Sequence, residues 1–521
     1  MNKSFLDKYK EGISPYLGGL NAQVVLVICM LGMIFYQGIR QPIVDPDIWW
    51  HLRAGQIILE KGIPSTDTFS FTTNQNPWLA YSWLAELIFY GVDKYTGCQG
   101  LILLQALLIT LTCIFAYLTI YRETRSLRLA VILTTLAFYA SPSWTLRPQL
   151  FSFLFAAIFV FLLRVEAKKH PSLLWLLPLL IMIWANCHVY FVIGLVLLTF
   201  FSLETLLVKD KGEVPLPFRR RKTILLINIL CLLTPLVNPY LYHLYIHIFN
   251  LCLHASSGWT ATWIEELQSP NFHIWPMRLF EFMVMLSILA FTLSRKKPNV
   301  VTIILFIGLL HQALSHSRDI TYFTIIVSIM LGYHLAHIDH STWQRFIHPA
   351  AYRAGIFKSP GPFFLGLNVS LILGLLIFIA SKTILLINSP TLVSSKEFPV
   401  QAVEFIKSAG LPGHMFNHFN WGGYLIYHLY PDYQVFIDGR TQVYPGKVAD
   451  DYLSITFIKI GWDSLLAKYK VQWVIWPPKD PLATMLLGSS DWQKVYEDST
   501  TLIFARRNGQ AITRSFSGPR G

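Results

Sequence analysis

Long runs of apolar residues, separated by short polar segments, recur along the first three quarters of the chain. A bilayer core about 30 Å thick needs roughly 20 apolar residues per helix, so these runs predict membrane-spanning helices. A cleaved signal peptide is the alternative for the first run, but no small-residue cleavage pattern follows Tyr36, which favours a retained anchor. We predict about eleven spans, at 21–39, 99–121, 128–141, 149–164, 172–184, 189–207, 223–237, 278–294, 298–315, 320–339 and 362–388.

The pattern changes after residue 388. Short apolar runs at Tyr433–Asp438 and Val471–Trp476 predict strands, whereas the periodicity of Val400–Ser408 and Trp462–Tyr469 predicts amphipathic helices. Residues 1–388 are therefore expected to form an α-helical polytopic transmembrane domain, and residues 389–507 a mixed α/β domain. The last residues, 508–521, are rich in Gly, Ser, Pro and Arg and are predicted to be a disordered tail.

The loop at 40–98, between the first two predicted spans, is the longest in the transmembrane part. It opens with a predicted helix that has Asp45 as its N-cap, Pro46 at its first position and Gly62 as its stop signal. A second amphipathic helix is predicted over Trp78–Tyr95. We expect both helices to lie in the membrane interface, because one face of each is apolar and the other polar.

Composition excludes a soluble protein, since 54% of the 521 residues are hydrophobic and only 14% are charged. The net charge of +13 does not indicate a nucleic-acid partner, because the basic residues occupy alternate loops, as the positive-inside rule requires of cytoplasmic loops. An odd number of spans with a cytoplasmic N-terminus places the C-terminal domain outside the cytoplasm. The residues that set this orientation include Lys3, Lys8, Lys10, Arg122, Arg125, Arg128, Arg164, Lys168, Lys169, Lys209, Lys211, Arg219, Arg220, Arg221, Lys222, Arg295, Lys296, Lys297, Arg345, Arg353 and Lys358.

Polar and ionisable residues gather at the opposite, outer ends of the predicted spans. Such groups are costly to desolvate unless a cavity or a partner receives them, so their convergence predicts a site on the outer face. The alternative is that loops are simply polar, and that Asp45 and Asp47 only cap a helix and interact with its dipole. The candidate residues are Asp45, Asp47, His51, Arg53, Arg147, Asn186, His188, Glu265, Glu266 and Arg318.

Metal binding is not required by any spacing in the sequence. His243 and His247 lie four apart on a predicted helix and could bind zinc, but the aromatic neighbours Tyr242 and Tyr245 favour an interfacial helix. The six cysteines have no metal-type spacing and are expected to pack as small hydrophobic residues. The metal and cofactor are left unassigned, although the acids that would suit Mg²⁺ or Mn²⁺ as oxygen ligands are Asp45, Asp47, Glu265 and Glu266.

With these residues in view, most of the chain resembles the GT-C superfamily of polytopic glycosyltransferases, which includes protein O-mannosyltransferases, aminoarabinose transferases and oligosaccharyltransferases. Within it, the chain is most similar to a group of bacterial membrane proteins. The matching segments are Asp45-Pro46-Asp47-Ile48-Trp49-Trp50-His51-Leu52, Gly62-Ile63-Pro64, Asp67, Phe69-Ser70, Ser82-Trp83-Leu84, Arg147-Pro148-Gln149, Trp184-Ala185-Asn186-Cys187-His188, Asn238-Pro239, Ser317-Arg318 and Phe436-Ile437-Asp438-Gly439-Arg440.

The resemblance implies an enzyme of the bacterial cytoplasmic membrane that moves a sugar, with inversion, from a polyprenyl-phosphate-linked donor to an acceptor on the outer face. The acceptor could be a protein, a lipid or a glycan. The family's acidic residue in the first outer loop corresponds to Asp45 or Asp47, and it would take the proton of the acceptor hydroxyl. Fixed cations near the leaving phosphate would lower the barrier. The candidates for phosphate or substrate binding, with the arginines first, are Arg318, Arg147, Arg53, His51, His188, Asn186, Glu265 and Glu266.

Other functional classes remain as alternatives. A transporter or flippase of a lipid-linked saccharide is disfavoured, because no charged residue lies deep inside a predicted span and no pair of broken helices occupies matching halves. An O-antigen polymerase or ligase typically carries its large loop late in the membrane part, whereas the informative loop here comes first. A non-catalytic relative of the GT-C enzymes is the remaining alternative.

Overall fold

The computed structural model of the protein describes residues 22–40, 42–166, 170–207, 218–254, 258–347, 362–387, 392–444 and 446–507. The predicted tail at 508–521 lies outside these ranges. The helices in chain order are α1 (Ala22–Arg40), α2 (Asp47–Lys61), α3 (Trp83–Thr124), α4 (Leu127–Tyr139), α5 (Gln149–Phe161), α6 (Leu176–Cys187), α7 (Phe191–Leu207), α8 (Phe218–Leu233), α9 (His243–His254), α10 (Gly258–Trp263), α11 (Trp275–Leu293), α12 (Val300–Ser315), α13 (Ile320–Ala336), α14 (Ser341–Ile347), α15 (Pro362–Ile387), α16 (Val400–Ala409), α17 (Gly422–Leu429), α18 (Gly446–Thr456), α19 (Trp462–Lys468) and α20 (Pro481–Gly488).

The chain folds into two compact units. The first, here called the helical unit, contains α1, the chain from Cys98 to Ser256, and the chain from Ala261 to Ser389. The second, here called the α/β unit, joins Pro42–Gly97 and Ser257–Thr260 to the chain from Pro390 onward. The loop at 40–98, which we had assigned to the transmembrane domain, thus packs with the C-terminal residues instead.

The helical unit contains apolar helices at each of the predicted spans. In the described part of the chain, five helices are long and apolar enough to cross a membrane: Gln23–Arg40, Trp83–Thr124, Trp275–Leu293, Ser317–Ala336 and Phe363–Leu386. Shorter apolar helices such as Leu127–Tyr139 and Val300–Ser315 pack beside them. A polytopic helical membrane fold is therefore supported, while the number of spans and their orientation remain predictions.

Helix α3 is two helices joined at a kink. Gly97 has φ 64° and ψ −165°, a conformation outside the α region that glycine adopts without steric cost, and it separates 83–96 from 98–124. Glu86, Asp93 and Lys94 all lie before the kink, so the part that follows it, 98–124, is the one that corresponds to the predicted span at 99–121. The predicted amphipathic helix at 78–95 therefore exists but begins later, at Trp83.

The α/β unit is built on a four-stranded sheet in which β1 (His414–Asn417), β2 (Val471–Trp476), β3 (Trp492–Glu497) and β4 (Leu502–Arg506) have the order β1-β2-β4-β3. β1 and β2 are parallel, and the other pairs are antiparallel. Five of the six residues of β2 are buried, as expected for a central strand that reads as a continuous apolar run. The predictions of a strand at Val471–Trp476 and of helices at α16 and α19 are confirmed.

The prediction of a strand at Tyr433–Asp438 was wrong. This segment forms no ladder and only an isolated bridge between Val435 and Ser70. Val435 exchanges backbone hydrogen bonds with Phe69 and Phe71. Next to it a side chain takes over, because the Asn417 amide accepts from the Phe436 N–H at 2.8 Å and donates to the Ile437 carbonyl at 2.8 Å. A buried segment can therefore be apolar without being a strand when a side chain takes the place of the neighbouring strand.

Candidate functional site

Asp47 occupies the first turn of α2 in the α/β unit. Its Oδ1 accepts a hydrogen bond from the Trp50 indole N–H at 3.1 Å. The carboxylate also lies directly against Gly439, where an added Cβ would be only 1.8 Å from Oδ1. Asp47 is half-buried, so its carboxylate is fixed in position and still reaches the surface.

Asp45 has a different environment two residues earlier. It is 5% exposed, and its Oδ1 accepts from the Asp47 N–H at 2.9 Å, so it satisfies a donor at the start of α2. The helix itself begins at Asp47 with Pro46 as N-cap, one residue later than predicted, and ends as predicted at Gly62, which has φ 89°. Of the two acids, Asp45 supports the start of α2 through its side chain, and Asp47 is the more accessible carboxylate.

His51 faces the interior of the α/β unit. Its Nδ1 lies 2.9 Å from Oε1 of Glu86, a residue before the kink in α3, and both side chains are buried. Burial raises the pKa of the Glu86 carboxyl to about 8, although the charge of Arg440 opposes this shift. The Glu86 carboxyl is therefore mostly protonated at neutral pH. The Trp50 ring lies against His51 at a centroid distance of 3.5 Å.

Arg53 is held by the C-terminal part of the α/β unit. Its Nη2 donates to the Tyr430 carbonyl, its Nη1 donates to Gln56, and the guanidinium lies 5.3 Å from the centre of the Tyr430 ring. These contacts account for Arg53 as a link between α2 and the segment after α17. Of the three arginines expected to bind phosphate, Arg53 is the one whose presence is best explained by a structural role.

A buried ionic network fastens the loop to the C-terminal residues. The fully buried Arg440 guanidinium donates from Nε and Nη2 to Asp438 at 2.9 and 2.7 Å, and from Nη1 to Asp67 at 2.7 Å. The guanidinium lies between the rings of Phe69 and Trp78, at 4.7 and 4.8 Å from their centres. Through Arg440, the turn that carries Asp438 is bound to a loop more than 350 residues away in the sequence.

The helical unit brings together a second group of predicted residues. Arg147 donates to Glu266 at 2.7 Å, across 119 residues of sequence. Ser317, next to Arg318, donates from its backbone N–H to the Gln268 carbonyl at 2.9 Å and from its hydroxyl to the Glu266 carbonyl at 3.3 Å. The loop that carries Glu266 is thereby fixed beside the turn that carries Arg318.

Two aromatic side chains complete this group. The Arg318 guanidinium lies 5.6 Å from the centre of the Tyr190 ring, within the range of a cation–π interaction. The Tyr190 hydroxyl donates to Asp319 at 2.8 Å, and its ring stacks on Tyr322 at 4.9 Å. We refer to Arg147, Glu266, Arg318, Asp319, Tyr190 and His188 as the arginine cluster.

His188 is the neutral member of the arginine cluster. Burial and the positive charges of Arg318 and Arg147 lower its pKa to about 3, so the imidazole is uncharged at neutral pH. Its Nδ1 shares a hydrogen bond of 2.9 Å with the Ser152 hydroxyl, which also accepts from the Trp184 indole N–H at 2.6 Å. His188 can therefore orient a ligand through hydrogen bonding, but it contributes no positive charge.

The remaining predicted residues, Asn186 and Glu265, show no contact with the described residues that indicates a functional role. Asn186 accepts from the Asn238 amide at 3.2 Å and donates to the Met182 carbonyl at 2.8 Å, which indicates a structural role at the end of α6. Glu265 is exposed. Within the described ranges, no three His, Cys, Asp or Glu side chains come close enough to hold a metal ion.

Sequence reasoning missed several residues of these groups. Tyr190 and Ser152 gave no signal, because an aromatic and a hydroxyl residue at a helix end are ordinary in a membrane protein. Glu86 stood out only as a polar position on an amphipathic helix. Asp67 belonged to the family resemblance, but its partner Arg440 is 373 residues away and was assigned to a different domain.

Comparison with protein-family models finds no match for the sequence, and neither does comparison with curated proteins. The fold is similar to the crystal structure of an oligosaccharyltransferase from Archaeoglobus fulgidus in the apo form, with a TM-score of 0.55 and 10% identity. The match covers 94% of this chain and 74% of that one. A second likeness, to ArnT from Cupriavidus metallidurans bound to undecaprenyl phosphate, has a TM-score of 0.48 and 14% identity, and covers 95% of this chain and 99% of that one.

At 10% identity, the likeness to the oligosaccharyltransferase establishes the fold alone, and a TM-score below 0.5 adds nothing to it. Oligosaccharyltransferases are among the enzymes that the sequence resemblance names, and the chain shares its fold with one of them. The GT-C resemblance predicted from the sequence is therefore confirmed at the level of the fold.

Proposed function

We propose that the protein is a membrane glycosyltransferase that transfers a sugar from a polyprenyl-phosphate-linked donor to an acceptor hydroxyl at the extracytoplasmic face. The observation that carries this proposal is a fixed, surface-reaching carboxylate, Asp47, in a chain with the GT-C fold. The acceptor class and any requirement for Mg²⁺ or Mn²⁺ stay open. The membrane is taken to be the bacterial cytoplasmic membrane, with the N-terminus inside and the α/β unit outside.

In the proposed reaction, the acceptor oxygen attacks the anomeric carbon as the bond from that carbon to the phosphate oxygen breaks. The configuration inverts, the bonding electrons leave with the lipid phosphate, and Asp47 takes the proton of the acceptor hydroxyl. Asp47 suits the base better than Asp45, because Asp45 is buried and engaged with the start of α2. Of the two acids that the sequence left open, we therefore propose Asp47 as the base.

The arginine cluster is the proposed site for the donor phosphate. A leaving phosphate gains negative charge, and guanidinium groups held in place beforehand stabilise that charge without reorganising. Arg147 and Arg318 are both positioned by other side chains, Glu266 and Tyr190 respectively. The neutral His188 would add a hydrogen bond rather than a charge.

The test is transfer of a radiolabelled sugar from the lipid fraction of membranes that contain Asp47→Asn, Asp45→Asn or the control Glu60→Gln. Glu60 is an exposed acid on the same helix as Asp47. We expect Asp47→Asn to lower transfer by about 100-fold or more, because general bases contribute factors of that size. Asp45→Asn should keep most of the activity, since Asn is also a good helix cap.

Full transfer by well-expressed Asp47→Asn would disprove the assignment of the base. If the wild-type chain instead moved a lipid-linked saccharide across vesicles without consuming it, the flippase alternative would replace the enzyme. A chain that neither transfers nor moves the lipid, yet is folded, would indicate a non-catalytic GT-C relative.

A further inference from the structure

A groove of about 660 Å³ crosses the surface of the α/β unit, away from the residues discussed above. It runs between α19, α20 and the ends of the two antiparallel strands β3 and β4, and its volume is within the range of small-ligand sites. Six of its lining residues carry the argument: Trp462, Asp463, Thr484, Asp491, Trp492 and Arg506.

Arg506 is the unusual residue in this groove. It sits opposite Trp492 in the β3–β4 pairing, with its guanidinium 5.3 Å from the centre of the Trp492 ring. Its Nε is buried and hydrogen-bonds to no atom in the described part of the chain. No ion pair of its guanidinium occurs there either. A buried donor without an acceptor is costly, and a bound ligand would remove that cost.

The charges of the groove select among ligands. Asp463 and Asp491 line it together with Arg506, so the carboxylates outnumber the guanidinium and repel an anion, while a simple cation could pair with the carboxylates but would leave the guanidinium without an acceptor. A neutral ligand with hydroxyl groups satisfies both signs, because each hydroxyl donates one hydrogen bond and accepts two. The partly exposed Trp462 ring offers an apolar surface against which the C–H face of a sugar ring can pack.

We propose that this groove binds a neutral oligosaccharide, with Arg506 donating to it, Asp463 and Asp491 accepting from it, and Trp462 packing against its ring. A peptide is the less suitable occupant, because peptides commonly add to a sheet through backbone hydrogen bonds, whereas this groove is lined mostly by side chains of two helices and meets the strands only at their ends. The binding site is independent of the transfer reaction and holds whether or not Asp47 is a catalytic base.

The test is isothermal titration of the full-length protein in lipid nanodiscs with maltotetraose, mannotetraose, chitotetraose and the anionic tetragalacturonate. We expect at least one neutral tetrasaccharide to bind and the anionic one to bind more weakly or not at all. Arg506→Gln and Asp463→Asn should each weaken that binding by about tenfold or more, since hydrogen bonds to charged groups contribute that much.

The matched control is Arg507→Gln, which changes the next residue, an exposed arginine that does not line the groove and whose Nε donates to the backbone carbonyl of Trp492 at 3.3 Å. Asp47→Asn should bind as tightly as the wild type, which separates this proposal from the proposed transfer. The proposal is overturned if no neutral tetrasaccharide binds, if tetragalacturonate binds more tightly, or if Arg506→Gln and Arg507→Gln have the same affinity. Thermal unfolding of each variant verifies that a loss of binding is not a loss of fold.

Discussion

Replacement of the buried Arg440 by methionine should loosen the contact between the loop at 42–97 and the C-terminal residues of the α/β unit. The guanidinium is 0% exposed in its side chain and makes three hydrogen bonds of 2.7 to 2.9 Å to two carboxylates that are also fully buried. Methionine fills a similar volume but leaves Asp67 and Asp438 without a cation. Removal of one partner from a buried pair typically costs about 3 to 5 kcal/mol.

Some of this cost should be relieved by the other donors of the network. Asp67 keeps the Phe69 N–H and the hydroxyls of Ser70 and Thr73, and Asp438 keeps the Tyr444 hydroxyl at 2.6 Å. We therefore expect the lower end of the range, about 3 kcal/mol, which corresponds to roughly a hundredfold increase in the population of the open state. The second change Asp67→Asn should recover part of the loss, because it removes one of the two stranded charges.

Native-state hydrogen exchange is the suitable assay, because a chain with two units does not unfold in a single two-state step. The amides of Phe71 and Val435 are hydrogen-bonded between the loop and the C-terminal residues, to the Val435 and Phe69 carbonyls respectively, and report local opening. Their protection should fall by about two orders of magnitude in Arg440→Met and remain unchanged in the control Arg507→Met. Protection within about threefold of the wild type in Arg440→Met would refute the reasoning that the buried charge network holds the loop.

Four further outcomes are expected. Gly439→Ala should lower sugar transfer as Asp47→Asn does, because its Cβ would overlap the Asp47 carboxylate, whereas Gly446→Ala, with open space around it, should not. Glu86→Gln should gain thermal stability relative to the wild type as pH rises from about 4.5 to 8. The pKa of Glu86 is raised in the folded state, so in this range the folded wild type holds a proton that the unfolded chain loses. An equal difference in stability at all pH values would contradict this. Burial raises the pKa of Asp67, but Arg440, Ser70 and Phe69 together lower it by more, so the net pKa is lowered. The stability that this carboxylate contributes should therefore be present above about pH 4 and be lost as pH falls through the lowered pKa, and Asp67→Asn should be less sensitive to acid than the wild type. A cysteine introduced at the exposed position Asp432 should react with a membrane-impermeant maleimide in intact cells, and labelling only after lysis would reverse the predicted orientation.

The helices could be predicted from the sequence because their burial follows a simple physical rule. Helix α13 is apolar on every face, and 14 of its residues from Ile320 to Leu335 are buried, so its hydrophobic run alone identified it. The stop of α2 at Gly62 was equally readable, since the residue has φ 89° and follows the last helical turn. Each of these features depends on neighbours in the sequence.

The organisation of the α/β unit could not be predicted in the same way. Its decisive contacts join residues that are far apart, such as Asp67 with Arg440 and Thr72 with the Phe436 carbonyl, and neither member of such a pair reveals the other. The apolar segment at Tyr433–Asp438 was misread as a strand for the same reason, because the side chain that satisfies its backbone, Asn417, lies outside it. Arg147, Glu266 and Arg318 of the arginine cluster could be identified from the sequence, because the ends of the helices could be placed from hydropathy.

The long sequence separation within the α/β unit has a consequence for how the candidate base reaches its final position. Asp67 emerges 373 residues before Arg440, which at about 5 to 20 residues per second means a delay of roughly 20 to 75 seconds during synthesis. Throughout that interval the loop lacks the guanidinium that neutralises Asp67 and the Gly439 backbone against which Asp47 lies. Burial of Asp67 without a cation is unfavourable, so the loop should stay solvated until the C-terminal residues are made. The carboxylate of Asp47 is therefore fixed only when the chain is nearly complete, and the same residues that stabilise the fold determine when the candidate base is in place.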